Sequence, residues 1–232
     1  MQSADTYLIF IMKRIPEHDL MDDAEQAKAY ADADFSEPHE VFVKLFISRF
    51  PDFSGQEIID LGCGTADVII RFARAFPSIK IFGVDGAQAM LDIGKQEVKN
   101  RGLEHNIKLK KCKLPDSGLL YRKYDAVISN SLLHHLSDPS ILWNTVKLCT
   151  KPGAPVFIMD LLRPDNVESA KALLERYAAD ASPLLQKDFF NSLLAAYSLN
   201  EIRKQLDAAK LEHLYIDVVS DRHVLIWGGN HE

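Results

Sequence analysis

The chain has 232 residues, 47% of them hydrophobic and 26% charged, with a net charge of −6. That length suits one α/β domain with decoration, or at most two small domains, and it is enough to bury a full core. The acidic balance works against broad phosphate-backbone binding, and three scattered cysteines without a CxxC pair suggest neither a metal site nor a disulfide framework, as expected of a cytoplasmic protein in a reducing compartment.

The apolar run at residues 7–12 is too short to span a membrane, and basic residues follow it rather than precede it, the reverse of a signal peptide. Met12-Lys13-Arg14 resembles an ordinary translation start, so Met1–Ile11 reads as an upstream extension without a role. The first fifty residues read as helical, most clearly at Ala24–Ala31 and Pro38–Phe50. Short β-rich runs then alternate with helical patterns. Strands are expected at Glu57–Leu61, Ile79–Val84, Ile107–Cys112, Tyr124–Ser129 and Pro155–Leu161. Helices are expected at Asp67–Ala75, Ala87–Asn100 and Pro139–Cys149. Apolar strands alternating with helices point to a parallel sheet covered on both faces.

The pattern changes after Leu162. Asn166–Asp180 and Pro183–Tyr197 read as two amphipathic helices, a long connection for such a fold. Ser198-Leu199-Asn200-Glu201 matches a capping box and starts a helix running to about Lys210. Leu214–Val219 and His223–Trp227, joined by a short connector, read as an antiparallel hairpin.

The segment Ile58-Ile59-Asp60-Leu61-Gly62-Cys63-Gly64-Thr65-Ala66-Asp67 carries the chemistry. It sets a carboxylate at a strand end, then a glycine turn, then a helix. A nicotinamide site usually reads G-x-G-x-x-G, with the pyrophosphate over the helix N-terminus. Here Asp67 takes the third position, where a carboxylate repels a pyrophosphate and tolerates a ligand bearing a sulfonium and an amine. In Phe82-Gly83-Val84-Asp85-Gly86, Asp85 ends the next strand, 25 positions after Asp60, where an acid can accept both ribose hydroxyls. Together the two motifs describe a site for a nucleoside that lacks phosphate.

The segments DLGCGTAD, GVDGAQAML, YDAVISNSLLHHLSD and KPGAPVFIMD, in that order from about Glu57 to Asp160, resemble the class I S-adenosylmethionine methyltransferases, in particular the small-molecule subgroup called type 11. The resemblance implies a Rossmann-like, doubly wound sheet of seven strands with the last one antiparallel. Around it would lie a helical N-terminal cap at residues 1–50 and a methyltransferase domain at 51–232, with a helical insertion at 164–197. It implies S-adenosylmethionine as cofactor, with Asp60, Gly62, Cys63 and Gly64 around the methionine part. Asp85 and Gly86 would lie at the ribose, Met90 near the adenine, and Asn130 between cofactor and substrate. Tyr30 and Phe35 occupy the family's capping position, with Tyr30 reaching the substrate. The chain departs from the family at Ala66, which stands for a third glycine and narrows the loop. It departs again at Cys112-Lys113-Leu114, where an adenine-binding acid is common. Adenine contact then falls to the backbone near Leu114 or to Asp116.

Methyl transfer from a sulfonium is an in-line displacement, so the protein mainly aligns the partners. A base is needed only if the acceptor carries a proton at its ordinary pKa. His134 and His135, after the fourth strand, and Asp160, ending the fifth, are the candidates. Each also has a structural reading, the histidines as backbone-bonded packing and Asp160 as a turn cap. Arg163 is either a clamp for an anionic substrate group or a solvated side chain. Lysines in Ile107–Lys113 read as protection of a sheet edge rather than a nucleic-acid patch.

The leading expectation is methyl transfer to a small molecule, with nucleic acid and membrane disfavoured as partners. The alternatives are a tRNA or other nucleic-acid modifying enzyme with the same cofactor and a non-catalytic S-adenosylmethionine-binding interaction protein. An NAD-dependent oxidoreductase is disfavoured by Asp67.

Overall fold

A computed structural model describes residues 12–17, 22–116 and 123–230. The expectation about residues 1–11 lies outside the described residues. The strands are β1 (Glu57–Leu61), β2 (Lys80–Asp85), β3 (Ile107–Lys111), β4 (Ala126–Asn130), β5 (Pro155–Leu161), β6 (Tyr215–Val218) and β7 (His223–Gly229). They form one seven-stranded sheet in the order β3-β2-β1-β4-β5-β7-β6. The first five run parallel, and β7 inserts antiparallel between β5 and β6, in register from Pro155↔Gly229 to Leu161↔His223. β3 sits at the sheet edge with Lys108, Lys110 and Lys111 exposed, which discourages edge-to-edge pairing.

The helices are α1 (Ala24–Asp32), α2 (Ser36–Arg49), α3 (Asp67–Ala75), α4 (Gln88–Asn100), α5 (Ser140–Cys149), α6 (Val167–Ala178), α7 (Pro183–Ala195) and α8 (Leu199–Ala209). Along β1, Ile58 enters one core, while Ile59 and Leu61 enter the other. That two-sided burial is why the central strands read as unbroken apolar runs. On the first face, Phe42 and Phe46 of α2 meet Phe157 of β5 edge-on at 5.0 and 5.3 Å, and Phe46 meets Phe72 of α3 at 5.0 Å. Offset and edge-on rings of this kind add to the area they bury. α2 therefore belongs to the layer covering the sheet. On the second face, Trp143 and Val146 of α5 pack with Ile202 and Leu206 of α8.

Local signals set the helix ends. Ser198 and Glu201 form the reciprocal capping box that starts α8, and the Asn166 side chain caps α6. α7 stops two residues before the periodicity does, because Tyr197 turns away to bridge Leu162 and donates its hydroxyl to Leu136 O at 2.6 Å. α1 packs through Ala27 on Ala87 and Met90, and Gln26 Nε2 reaches Asp188 Oδ2 of α7 at 2.9 Å. α6 and α7 bury Leu161, Ala170, Leu193 and Ala196 between them. Among the described residues, no helix is long and apolar enough to cross a membrane.

Candidate active site

The carboxyl ends of β1, β2 and β4 open onto a cavity of about 1260 Å³, whose other walls come from α1, α6 and α7. After Leu61 the chain turns through Gly62 at φ +78° and Gly64 at φ +51°, conformations a Cβ disfavours. At Gly62 a Cβ would also stand 3.0 Å from Leu132 Cβ. Ala66 holds φ +68° with its methyl fully buried. The alanine therefore acts through left-handed backbone strain, about 1 kcal/mol, and not through loop width as the sequence suggests.

Asp60 is buried, and its Oδ1 has no hydrogen-bond partner. Burial, reinforced by the charge of Asp85, pushes its pKa up to about 8. Asp85 Oδ2 accepts from the Gly64 N–H and Oδ1 from the Ala87 N–H, both at 2.8 Å. Burial raises the Asp85 carboxyl despite those bonds. Each of its oxygens keeps a further lone pair. Asn130 Oδ1, at the end of β4, is likewise buried without a partner. Tyr30 stacks on Phe35 with ring centroids 4.6 Å apart, and burial with the Asp67 and Asp85 charges pushes its phenol up to about 12.

Opposite these groups stand two imidazoles on the 3₁₀ turn Leu133–His135 that follows β4. His134 is buried, and its Nδ1 lies 2.6 Å from Asp160 Oδ1. Asp160 also accepts from the Leu133 N–H at 2.7 Å and the Leu161 N–H at 2.8 Å. Burial pushes the His134 ring towards its neutral form, but the charge and hydrogen bond of Asp160 outweigh it and raise the pKa. His135 Nδ1 meets Glu17 Oε2 at 2.8 Å. Burial raises the Glu17 carboxyl, and the hydrogen bond and charge of His135 more than reverse this, leaving it below the usual value. Residues 12–17 reach this point because Arg14 Nε donates to Ala195 O at 2.6 Å and its Nη2 donates to His134 O at 2.8 Å, while the guanidinium lies over the Tyr197 ring.

Of the residues read from sequence, Tyr30, Gly62, Gly64, Asp85, Gly86 and Met90 line this cavity, as do Leu114, Asn130, His134 and His135. Asp60 and Asp160 lie buried at the strand ends beside it. Leu114 lines the wall together with Cys112 and Lys113, whereas Asp116 does not. Three residues stand differently from expectation. The thiol of Cys63 points into the core, with Sγ 2.9 Å from where a Gly83 Cβ would stand, so only its backbone faces the loop. Arg163 is buried away from the cavity, paired with Glu201 Oε2 at 2.9 Å and donating to Ala196 O at 3.3 Å, because the chain turns back at Tyr197 to cover it. Asp67 also faces away from the cavity wall. Its carboxylate is held by His39 Nδ1 at 2.7 Å and Arg71 Nε at 2.8 Å, which outweigh burial and bring its pKa to about 2. Held by an imidazole and a guanidinium, Asp67 does not supply the uncompensated charge read from the sequence. Sequence reasoning missed Glu17, Ser192 and Arg14. They sit in aperiodic stretches or on a helix whose polar face gave no sign of its target.

A family profile described as a methyltransferase domain matches residues 59–156. The matched segment, somewhat under half of the chain, and the fold both resemble those of S-adenosylmethionine-dependent methyltransferases. Among curated relatives, it is 33% identical over 116 residues to the demethylmenaquinone methyltransferase of Geobacillus stearothermophilus, a match covering 47% of each chain. It is 26% identical over 191 residues to the ubiquinone/menaquinone biosynthesis C-methyltransferase UbiE of Pseudomonas putida (strain W619), covering 79% of this chain and 72% of that one. The chain spans about half the length of the first curated relatives it matches. Among solved structures, the plantazolicin methyltransferase BpumL in complex with SAH has a similar fold, with a TM-score of 0.71 at 13% identity over 90% of this chain and 91% of that one. A SAM-dependent methyltransferase from Aquifex aeolicus also shares the fold, with a TM-score of 0.62 at 18% identity over 89% of this chain and 98% of that one.

Proposed function

We propose that this chain binds S-adenosylmethionine at the tips of β1, β2 and β4 and transfers its methyl group to a small molecule held beneath α6 and α7. The observation that carries this reading is the donor-poor chemistry of the strand tips. The Oδ1 atoms of Asp60 and Asn130 are buried and lack donors, and Asp85 presents further lone pairs. Buried acceptors without partners are costly, by about 1–3 kcal/mol each. A ligand rich in donors and positive charge relieves them, whereas a pyrophosphate would add charge to two carboxyls already repelling each other. The residues therefore fit this cofactor. Asp60 and Asn130 would receive its amino end, Asp85 the ribose, and Met90 with the backbone at Leu114 the adenine.

When bound, S-adenosylmethionine supplies a methyl group on a cationic sulfur. The residues of this chain align the acceptor and keep water away. Tyr30, Phe35, Leu185 and Phe189 close the cavity with apolar surface. On the acceptor side, Asp160 holds Nδ1 of His134, which places the proton of the neutral ring on Nδ1 and leaves the lone pair on Nε2. Such a lone pair serves an acceptor that must lose a proton. His134→Ala is expected to lower turnover by about 10²-fold while leaving cofactor affinity unchanged. The homology to quinone methyltransferases supports an aromatic or enolic acceptor of that kind.

Arg163 is sequestered in an ion pair and adds nothing to a basic surface beside the site, which favours a small acceptor over RNA. Calorimetry with S-adenosylhomocysteine and with NAD tests the cofactor, and binding of NAD alone would end this reading. Extract incubated with the protein and isotope-labelled S-adenosylmethionine, followed by mass spectrometry, tests the transfer. Cofactor binding without any labelled product would favour a non-catalytic binder, and label in the RNA fraction would favour the nucleic-acid enzyme.

A further inference from the structure

Glu17 and the His134-His135 pair come from segments far apart in the chain and meet on the acceptor side of the cavity. Each offers one ligand-capable atom, and these atoms lie within 4.8 Å of one another. We propose that the three side chains bind a first-row divalent cation of the zinc or iron(II) type as a two-histidine, one-carboxylate set.

Three features of the surroundings match such a site. The first is a built outer layer. Histidines that bind metals usually give their other ring nitrogen to a carboxylate, which fixes the tautomer and raises ligand basicity. His134 does this with Asp160 at 2.6 Å, which leaves Nε2 as the ligand atom on that ring. Ser192 Oγ donates to Glu17 Oε1 at 3.0 Å and steadies the carboxylate in the same way. The second feature is charge. Glu17 and Asp160 bring two negative charges to the cluster against the single positive charge of Arg14, whose guanidinium is turned onto backbone carbonyls. The third is access. The side chains of His134, His135 and Glu17 are 3%, 25% and 16% exposed, and all three residues line the cavity, so the cluster is desolvated yet open on one side. A simple His135–Glu17 hydrogen bond accounts for that pair alone. It gives no reason for the second imidazole, whose ring centroid lies 4.1 Å from that of His135.

Three protein ligands leave a coordination position for water or for an acceptor atom, as in catalytic rather than structural sites. Resting on the proposed methyl transfer, the cation would hold the acceptor oxygen or sulfur and lower its pKa. The acceptor's proton would leave to cavity water, and His134 would act through the cation rather than as a free base. Cation binding itself does not depend on that reaction.

The test uses the full-length chain, stripped with a chelator and titrated with zinc chloride by calorimetry and with cobalt chloride by visible absorption. One cation per chain is expected, with a cobalt spectrum of low coordination number. Glu17→Gln and His135→Gln are each expected to weaken zinc binding about 100-fold, and Asp160→Asn about 10-fold or more. Circular dichroism and thermal midpoints at wild-type values establish that the variants fold. A stripped chain that binds S-adenosylhomocysteine but takes up neither cation overturns the proposal and leaves the methyltransferase reading intact. Undiminished zinc binding in folded Glu17→Gln and His135→Gln overturns it as well, because the cation then sits elsewhere, for instance on a cysteine. Specific cation binding in a chain that ignores S-adenosylhomocysteine supports this site while ending the cofactor assignment.

Discussion

Asp60 should make cofactor affinity depend on pH through one identifiable carboxyl. Burial and the neighbouring Asp85 lift its pKa from 3.8 to about 8 in the ligand-free protein. At about pH 6 nearly every molecule then carries the Asp60 proton. A cationic ligand that requires the carboxylate must displace it, at about 1.4 kcal/mol per pH unit below the pKa. Affinity for S-adenosylhomocysteine is expected to rise about tenfold between pH 6 and 7 and to level off near pH 8, a total of about 50- to 100-fold. The ligand's own α-amino group also titrates on the alkaline side, so Asp60→Asn serves as the reference, keeping the ligand's titration and losing the protein's. Calorimetry across this range, in pairs of buffers with different ionisation enthalpies, counts the proton directly. About one proton should be released per ligand at low pH in the native chain, and none in the variant. The same shift has a consequence for folding. An acid whose pKa is raised on folding binds more protons native than unfolded between its two pKa values. Stability therefore falls as pH climbs from about 4 to about 8. Asp60→Asn should stabilise the ligand-free chain at neutral pH, by up to about 4 kcal/mol. Parallel pH slopes in the two proteins, or a variant no more stable than the native chain, would refute the picture of a strained, donor-starved carboxyl.

Burial and then the charge of Arg222 pull the His223 pKa down to about 4. An unfolded histidine takes its proton near pH 6.5, so stability should be lost as pH falls from about 6.5 to about 4. His223→Gln should blunt that loss when thermal midpoints are compared across this window. Glu201→Ala removes both the capping box of α8 and the partner of buried Arg163. Urea unfolding should show a loss of about 3 kcal/mol, with the acceptor KM unchanged because Arg163 lies away from the cavity. Gly83→Ala puts a Cβ 2.7 Å from Leu109 Cδ2 and 2.9 Å from both Cys63 Sγ and Ile69 Cδ1. It should lower stability by about 1–3 kcal/mol, and a neutral result would mean that the β2 face repacks freely.

What could be read along the chain was what the backbone repeats locally. Parallel strands buried on both faces leave unbroken apolar runs, and the Ser198–Glu201 box announces its own helix, so the sheet and most helices were legible. The strand-tip acids were legible too, because a carboxylate at the end of an apolar run needs a reason. The identity of each charge's partner was not. Arg163 looks like a free cation until Glu201, from the start of α8, is folded against it. Asp67 looks like a repulsive anion until His39 arrives from α2, a helix whose address on the α3 side depends on Phe42 and Phe46 rather than on any polar signal. Glu17 sits in a stretch with no period at all and finds His135 because Arg14 and the Ile15 N–H fasten that stretch to carbonyls beside it. These pairings decide the chemistry of the site. Four carboxylates stand at or near the strand tips, and two of them, Asp67 and Asp160, are matched by imidazole or guanidinium partners. Asp60 and Asp85 remain with backbone donors or none. On the proposed reading a positive ligand would be selected by subtraction, since the imidazole and guanidinium partners nearby are committed to other acids and the bound molecule must bring its own charge.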